Sequence, residues 1–209
     1  MRRLVIATRN RGKLEEIREI LSELNISVES LSDYPCIGEI EETGETFIEN
    51  ALEKAIAVAK HTKQVALADD SGLVVDALGG APGVMSARYA GPGASDSEKY
   101  RKLLSAMDDV PDGQRTARFI CVVAIATPEG HTWTAEGSVE GAITREPRGS
   151  GGFGYDPVFL VPELGLTFAQ IDTKTKNNMS HRARALARAL PMGGLFTPLA
   201  PPANKKEVM

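Results

Sequence analysis

The stretch "VALADDSGLVVDALGG", Val65 to Gly80, decides the fold. "QVALAD" and "GLVVDAL" are both strand-like, and between them stand two adjacent carboxylates and a serine, Asp69, Asp70 and Ser71. Asp-Asp-Ser-Gly is ordinary composition for a solvated β-turn. Aspartate is otherwise poorly suited to a strand, and two in tandem repel each other unless something positive neutralises them. The apolar run on each side argues for acids held rigidly beside a core, where a bound Mg²⁺ would supply the neutralising charge.

Upstream, "RLVIAT" reads as a short buried strand. Asn10 then starts an amphipathic helix with Leu14, Ile17, Leu21 and Leu24 on one face. A strand that turns at once into a helix leaves backbone N–H groups free at the helix start, and Thr8, Asn10 and Lys13 add side-chain donors. Such a turn suits a phosphate chain, although G-x-x-x-x-G-K-[ST] is absent. The competing reading has Asn10 capping the helix and Lys13 in solvent.

Between these segments, "EIEETGETFIENALEKA" places Glu39, Glu41 and Glu42 before a capping box of Thr46 and Glu49. Phe47, Ile48, Ala51, Leu52, Ala55 and Ile56 mark one face of a helix ending near His61, with Glu49, Asn50, Glu53 and Lys54 assigned to its polar side as ordinary surface charges. A loop carboxylate such as Glu41 gains interest only where a second carboxylate approaches, because hard divalent cations prefer oxygen ligands.

Downstream, a long loop from Gly79 to Gly93 precedes a helix at Asp96 to Met107 with a box of Ser95 and Glu98. "RTARFICVVAIATP" and "HTWTAEGSVEGAI" form a long hairpin, and "REPRGSGGFGYDP" leads into the strand "VFLVP". A final helix is expected over about Asn178 to Leu190. Glycines let backbone approach a ligand closely, and Phe153 and Tyr155 offer flat faces. Lys174, Lys176, His181 and Arg182 crowd a helix start, where positive charge is unfavourable unless an anion or acid compensates, a conflict that hints at a ligand phosphate.

A chain of 209 residues that is 42% apolar can bury a real core. Its 28 acids against 24 bases leave a formal charge of −4, so a basic surface for nucleic acid is not expected. The four-residue apolar run near the N-terminus is too short for a signal-peptide core or a membrane span, so a cytoplasmic protein without a membrane partner is expected. Cys36 and Cys121 make no disulfide framework, Cys121 reads as core packing, and three scattered histidines argue against zinc. One mixed α/β domain over residues 1–190 is expected, with a mobile tail at 191–209.

Taken together, "ATRNRGK", "EETGETFIENALEKA", "ADDSGLVVDALGGAPGVMSARYAG", "TREPRGSGGFGYDPVF" and "SHRARAL" resemble the inosine triphosphate pyrophosphatase family in order and spacing, over about Leu4 to Leu190. The resemblance implies a long central sheet flanked by helices, two lobes around a deep nucleotide cleft, and a homodimer. It also implies Mg²⁺-dependent hydrolysis of non-standard purine nucleoside triphosphates to the monophosphate and pyrophosphate. By the same resemblance, Asp70 matches the proton acceptor and a metal ligand, Glu41 a second metal carboxylate, and Ser71 a substrate contact. Thr8, Arg9, Asn10, Arg11, Gly12 and Lys13 match the triphosphate turn, and Phe153, Gly154, Tyr155, Asp156, Lys176, His181 and Arg182 the nucleotide and base contacts. Asp69 and Lys54 match secondary members of the metal and phosphate site. A Maf-type nucleotide pyrophosphatase and a nucleotide-binding sensor without turnover are the alternatives.

Overall fold

The computed structural model of the protein describes residues 2–22, 24–38 and 40–192. Glu39 and, from residue 193 onward, the expected tail lie outside the described residues.

Among the described residues, seven strands form one open mixed sheet in the order β2-β1-β3-β4-β5-β6-β7. The strands are β1 (Arg2–Ile6), β2 (Ile26–Ser30), β3 (Val65–Val75), β4 (Thr116–Ala126), β5 (Thr132–Ile143), β6 (Phe159–Val161) and β7 (Leu166–Thr167). β1 runs parallel to both β2 and β3, and every later pairing is antiparallel. The helices are α1 (Arg11–Leu21), α2 (Phe47–Thr62), α3 (Asp96–Ala106), α4 (Thr173–Met179) and α5 (His181–Ala189).

The opening stretch is not two strands around a turn. It is a single strand, β3, registered against β4 from Ala66↔Ala126 to Val75↔Ala117, with Asp69 opposite Val123 and Asp70 opposite Val122. The apolar pairs on both sides hold the two acids in extended backbone. Strand alternation then sends their side chains to opposite faces of the sheet. Leu67 and Leu73 share the Asp69 face, where α1, α3 and α5 pack, whereas Ala66 and Ala68 share the Asp70 face under α2.

The chain leaves β1 through α1 to reach β2, and returns through α2 to β3, so these two helices lie on opposite faces. That reversal opens a crevice beyond the carboxyl end of β1. β1 accompanies β3 only as far as Ile6↔Leu67, with Ala7 N–H on Leu67 O at 2.7 Å. Beyond Leu67 no strand among the described residues pairs with that edge of β3. The next hold is Ser86 Oγ, which accepts Leu73 N–H at 2.9 Å. The open edge between them carries Asp69 to Gly72.

Three further differences from the sequence reading have simple causes. β2 and β7 are short and half-exposed, so they lack a clear apolar run. The expected final helix is two helices, because Ser180 is extended (ψ 159°) and caps the second by accepting Ala183 N–H at 3.1 Å. Asn50 and Lys54 face the core, only 1% and 8% exposed, since positions 50 and 54 flank the apolar positions 51, 55 and 58 on one face of α2. The boxes at Thr46 and Ser95 and the long hairpin are as expected.

α5 sits unusually close to the sheet. A Cβ on Gly137 of β5 would lie 2.3 Å from His181 O and 2.5 Å from Ala185 N. Gly137→Ala must therefore push α5 outward, and we expect a loss of about 1–3 kcal/mol in urea unfolding, as for an overpacked core; an unchanged midpoint would contradict this close approach.

Candidate active site

The crevice is a cleft of about 700 Å³ lined from both sheet faces. Of the lining residues, Thr8, Arg9, Asn10 and Lys13 form the turn from β1 into α1. Asn10 does cap the helix, accepting Lys13 N–H at 3.0 Å, and Thr8 Oγ accepts Asn10 N–H at 3.2 Å. Lys13 is not in solvent, however. Its ammonium stands 3.1 Å from Asp69. Arg9 braces the following loop by donating to Ile37 O at 2.6 Å. Arg11 points away, largely exposed beside Glu15. Gly12 makes room for an aromatic ring, because a Cβ there would lie 2.6 Å from Phe153.

Asp70 occupies the α2 side. Its carboxylate accepts from Lys54 at 3.2 Å and from Asn50 at 3.3 Å, and Lys54 also donates to Glu42 at 2.7 Å. Burial pushes the Asp70 pKa up against the pull of Lys54 and Lys13. Lys54 stays protonated: burial opposes its charge, but Asp70 and Asp69 outweigh that. Glu41 is exposed on the cleft wall, and Glu42 is the carboxylate that Lys54 ties to Asp70.

These side chains fit a hard divalent cation in chemistry. Asp70, Glu41 and Glu42 are oxygen donors lining one cleft, and Lys54 already holds a positive charge between two of them. No group of three or more acidic, His or Cys side chains among the described residues is arranged to hold a metal by itself, so a cation here needs ligand or water oxygens as well.

Asp69 lies beneath the cleft floor, 1% exposed. It receives Arg182 through Nη2 at 3.1 Å and Nε at 3.3 Å, and Ser71 Oγ at 3.2 Å. Burial alone would raise its pKa, but Lys13, Arg182 and Lys54 hold it well below the usual carboxylate range. Ser71 in turn accepts from Arg182 at 3.0 Å. Arg182 also donates to Glu16, which accepts from Lys176 at 2.7 Å, and Lys176 reaches Asp156 at 2.6 Å. Three carboxylates thus alternate with three cations in the order Asp156, Lys176, Glu16, Arg182, Asp69, Lys13. The basic helix start is compensated by the protein's own acids, so the expectation that it calls for a ligand phosphate does not stand.

The cleft also has an aromatic wall, which meets the turn at Gly12. Phe153 lies against Gly12, with Lys176 at 5.2 Å and Arg182 at 5.8 Å from its ring centre. Asp156 accepts Phe153 N–H at 2.9 Å, and Tyr155 OH donates to Ser86 O at 2.9 Å. His181 stacks on Phe119 with ring centres 4.7 Å apart. Burial, with Arg182 and Lys176 nearby, drops the His181 pKa far below its ordinary 6.5, so the ring is neutral. Cys121 is core, its thiol pushed up to about 12 by burial.

Sequence reasoning passed over Glu16, Asn50 and Asp96, and gave Glu42 no role. Glu16 was legible in principle, since it shares a helix face with Lys13 and Ile17 by the three- and four-residue rule.

The model of the Ham1 family matches residues 4–192. Two similar proteins are the dITP/XTP pyrophosphatases of Desulforamulus reducens and Geobacter sulfurreducens, each 54% identical over 90% of this chain and 94% of theirs. Among solved structures, a HAM1 protein from Coxiella burnetii superposes with a TM-score of 0.82 at 45% identity, over 90% of this chain and 96% of that one. The Staphylococcus aureus Ham1 protein gives 0.80 at 40% identity, over 90% and 95%.

The charge chain sets how stability responds to acid. A neutral His181 in the fold and a titrating one in the unfolded chain mean that stability falls as pH drops below 6.5. Asp69 adds a further loss as pH falls through the ordinary 3.8 toward its lowered value in the fold. We expect the melting temperature to fall between pH 7.5 and 5.5, and to fall less in His181→Gln; equal slopes would remove His181 as the cause. Glu16→Ala takes one of the two carboxylates from both Lys176 and Arg182 and leaves the buried chain with one excess positive charge, and should cost about 3–5 kcal/mol in urea unfolding.

Proposed function

Because the chain belongs to the Ham1 family, we propose that it hydrolyses non-standard purine nucleoside triphosphates, ITP, dITP and XTP, to the nucleoside monophosphate and pyrophosphate. The observation that carries the reading is the open edge of β3. It presents Asp70 in the same cleft as the Thr8–Lys13 turn and the aromatic wall of Phe153 and His181.

The triphosphate lies along the turn at the start of α1, where free backbone N–H groups, Thr8, Asn10 and Lys13 meet its oxygens. Asp70, made a stronger base by its burial, accepts a proton from water as the water oxygen bonds to the α-phosphorus. The bond from that phosphorus to the bridging oxygen breaks, and Lys13 and Lys54 stabilise the charge gathering on pyrophosphate. Mg²⁺ held by Asp70 and Glu41, with Glu42 adjacent, would supply charge neutralisation when bound.

At the aromatic wall the base stacks on Phe153. His181 Nδ1 is buried with no partner. A buried N–H without an acceptor is costlier than a bare lone pair, so the proton of the neutral ring sits on Nε2, where it donates to an acceptor such as a purine 6-oxygen. Arg182 has most of its donors spent on Asp69, Ser71 and Glu16. It fixes this wall of the site more than it reads the base. The reading includes a cytoplasmic homodimer. Ile48 and Met85, 45% and 47% exposed, are apolar surface that a second copy would cover, and sedimentation measures that state.

The decisive experiment is pyrophosphate release from ITP, dITP and XTP against ATP and GTP, with and without Mg²⁺. Asp70→Asn should lower kcat by about 10²-fold or more while circular dichroism stays unchanged, and near-parental turnover in that variant would sink the assignment. Phe153→Ala should raise KM for ITP and XTP together, by about tenfold, as for loss of one stacking platform. Glu41→Gln should shift the Mg²⁺ titration midpoint, and superimposable curves would remove Glu41 as a ligand.

A further inference from the structure

The loop that carries Phe153 is held from two directions. Gly152 and Gly154 both take positive φ, 68° and 64°, a conformation that exposes successive N–H groups. Asp156, from within the loop, accepts the N–H of Phe153 at 2.9 Å. The next N–H, that of Gly154, goes to a residue 58 positions away: Asp96 Oδ2 accepts it at 2.7 Å. A Cβ on Gly154 would meet nothing within 4 Å, so the positive φ and not crowding is what suits glycine here.

Asp96 is itself firmly placed. It is the first residue of α3, inside the Ser95–Glu98 capping box, and its other oxygen pairs with Lys99 at 2.7 Å. α3 is seated by Leu103 and Met107, both fully buried, and the end of that segment is tied down by Arg115 donating to Met107 O at 2.6 Å. Asp96 lines the same cleft as Asp70 and Phe153, yet its side chain is 46% exposed.

We propose that Asp96 is a positioning residue for the nucleotide, its carboxylate latching the Gly154 N–H to the rigid start of α3 and so setting the position of the Phe153 ring. The inference rests on the pyrophosphatase reading for its kinetic consequence and on the geometry alone for the latch. A half-exposed contact of this kind contributes little to global stability. Its loss is therefore expected to show in substrate binding and not in the melting temperature.

The test uses the full chain with Asp96→Ala and Asp96→Asn. Asparagine keeps an oxygen acceptor for Gly154 but not the charge toward Lys99. Asp96→Ala should raise KM for ITP by about tenfold with kcat within about twofold of the parent, the size expected for one lost charge-assisted hydrogen bond. Asp96→Asn should recover most of that loss. Amide exchange across residues 149–157, measured without nucleotide, should accelerate in Asp96→Ala and return toward the parental rate in Asp96→Asn. A parental KM in Asp96→Ala, or an Asp96→Asn protein as impaired as Asp96→Ala, overturns the proposal. Should the parent itself release no pyrophosphate from ITP, the function reading fails, and the exchange experiment still decides the latch: unchanged exchange in Asp96→Ala overturns it.

Discussion

The rest of the site depends on one buried interaction, the pairing of Asp69 with Lys13 and Arg182 under the cleft floor. Burying charge is costly, and an isolated carboxylate at this position would be neutralised by protonation. Asp69 stays ionised because cations arrive from α1 and α5, two elements that meet only in the folded chain. The pairing continues through Glu16 to Lys176 and Asp156. One chain of alternating charge thus ties the start of α1, the strand, the last helix and the glycine-rich loop together. Removing any one member leaves an excess charge buried in the chain, so the network specifies geometry more than it adds stability.

Adjacent aspartates tolerate each other here because a strand separates them. Asp69 and Asp70 are consecutive in sequence but face opposite sides of the sheet, each with its own cations. One becomes deeply buried and strongly acidic, and the other stays at the cleft with its pKa raised by burial. A pair of identical residues acquires two characters from surroundings alone, which is how environment separates chemical roles.

Asp70 reaches the cleft, with Asp69 beneath its floor, only because β3 loses its neighbour after Leu67. Had β1 continued alongside, a ladder of backbone hydrogen bonds would close the edge and leave no crevice. The immediate turn at Thr8 therefore sets the start of α1 beside the cleft and opens the strand that faces it. The glycine at position 72 serves the same opening, since a Cβ there would lie 2.3 Å from Gly83 O. The segment that walls the far side can then lie directly across the strand.

Local chemistry was legible from the chain itself: the caps at Asn10, Thr46 and Ser95, the long hairpin, and the segments that line the cleft. These depend on contacts within a few residues, and period and spacing report such contacts directly. The family resemblance added the cleft and the roles expected of Asp70 and the Thr8–Lys13 turn. What sequence spacing did not reveal is which charges face which. Asn50 and Lys54 read as surface, Glu16 was passed over, and the Lys176–Arg182 cluster read as waiting for a phosphate. Only the fold brings Glu16 to two cations 160 and 166 residues away, and Asp96 to a glycine 58 residues away. Helix and strand patterns follow from local backbone geometry and were written in the sequence. Partners of buried charges follow from which elements share a face of the sheet, and that was decided by tertiary structure, because pairing across such separations leaves no periodic trace in a single chain.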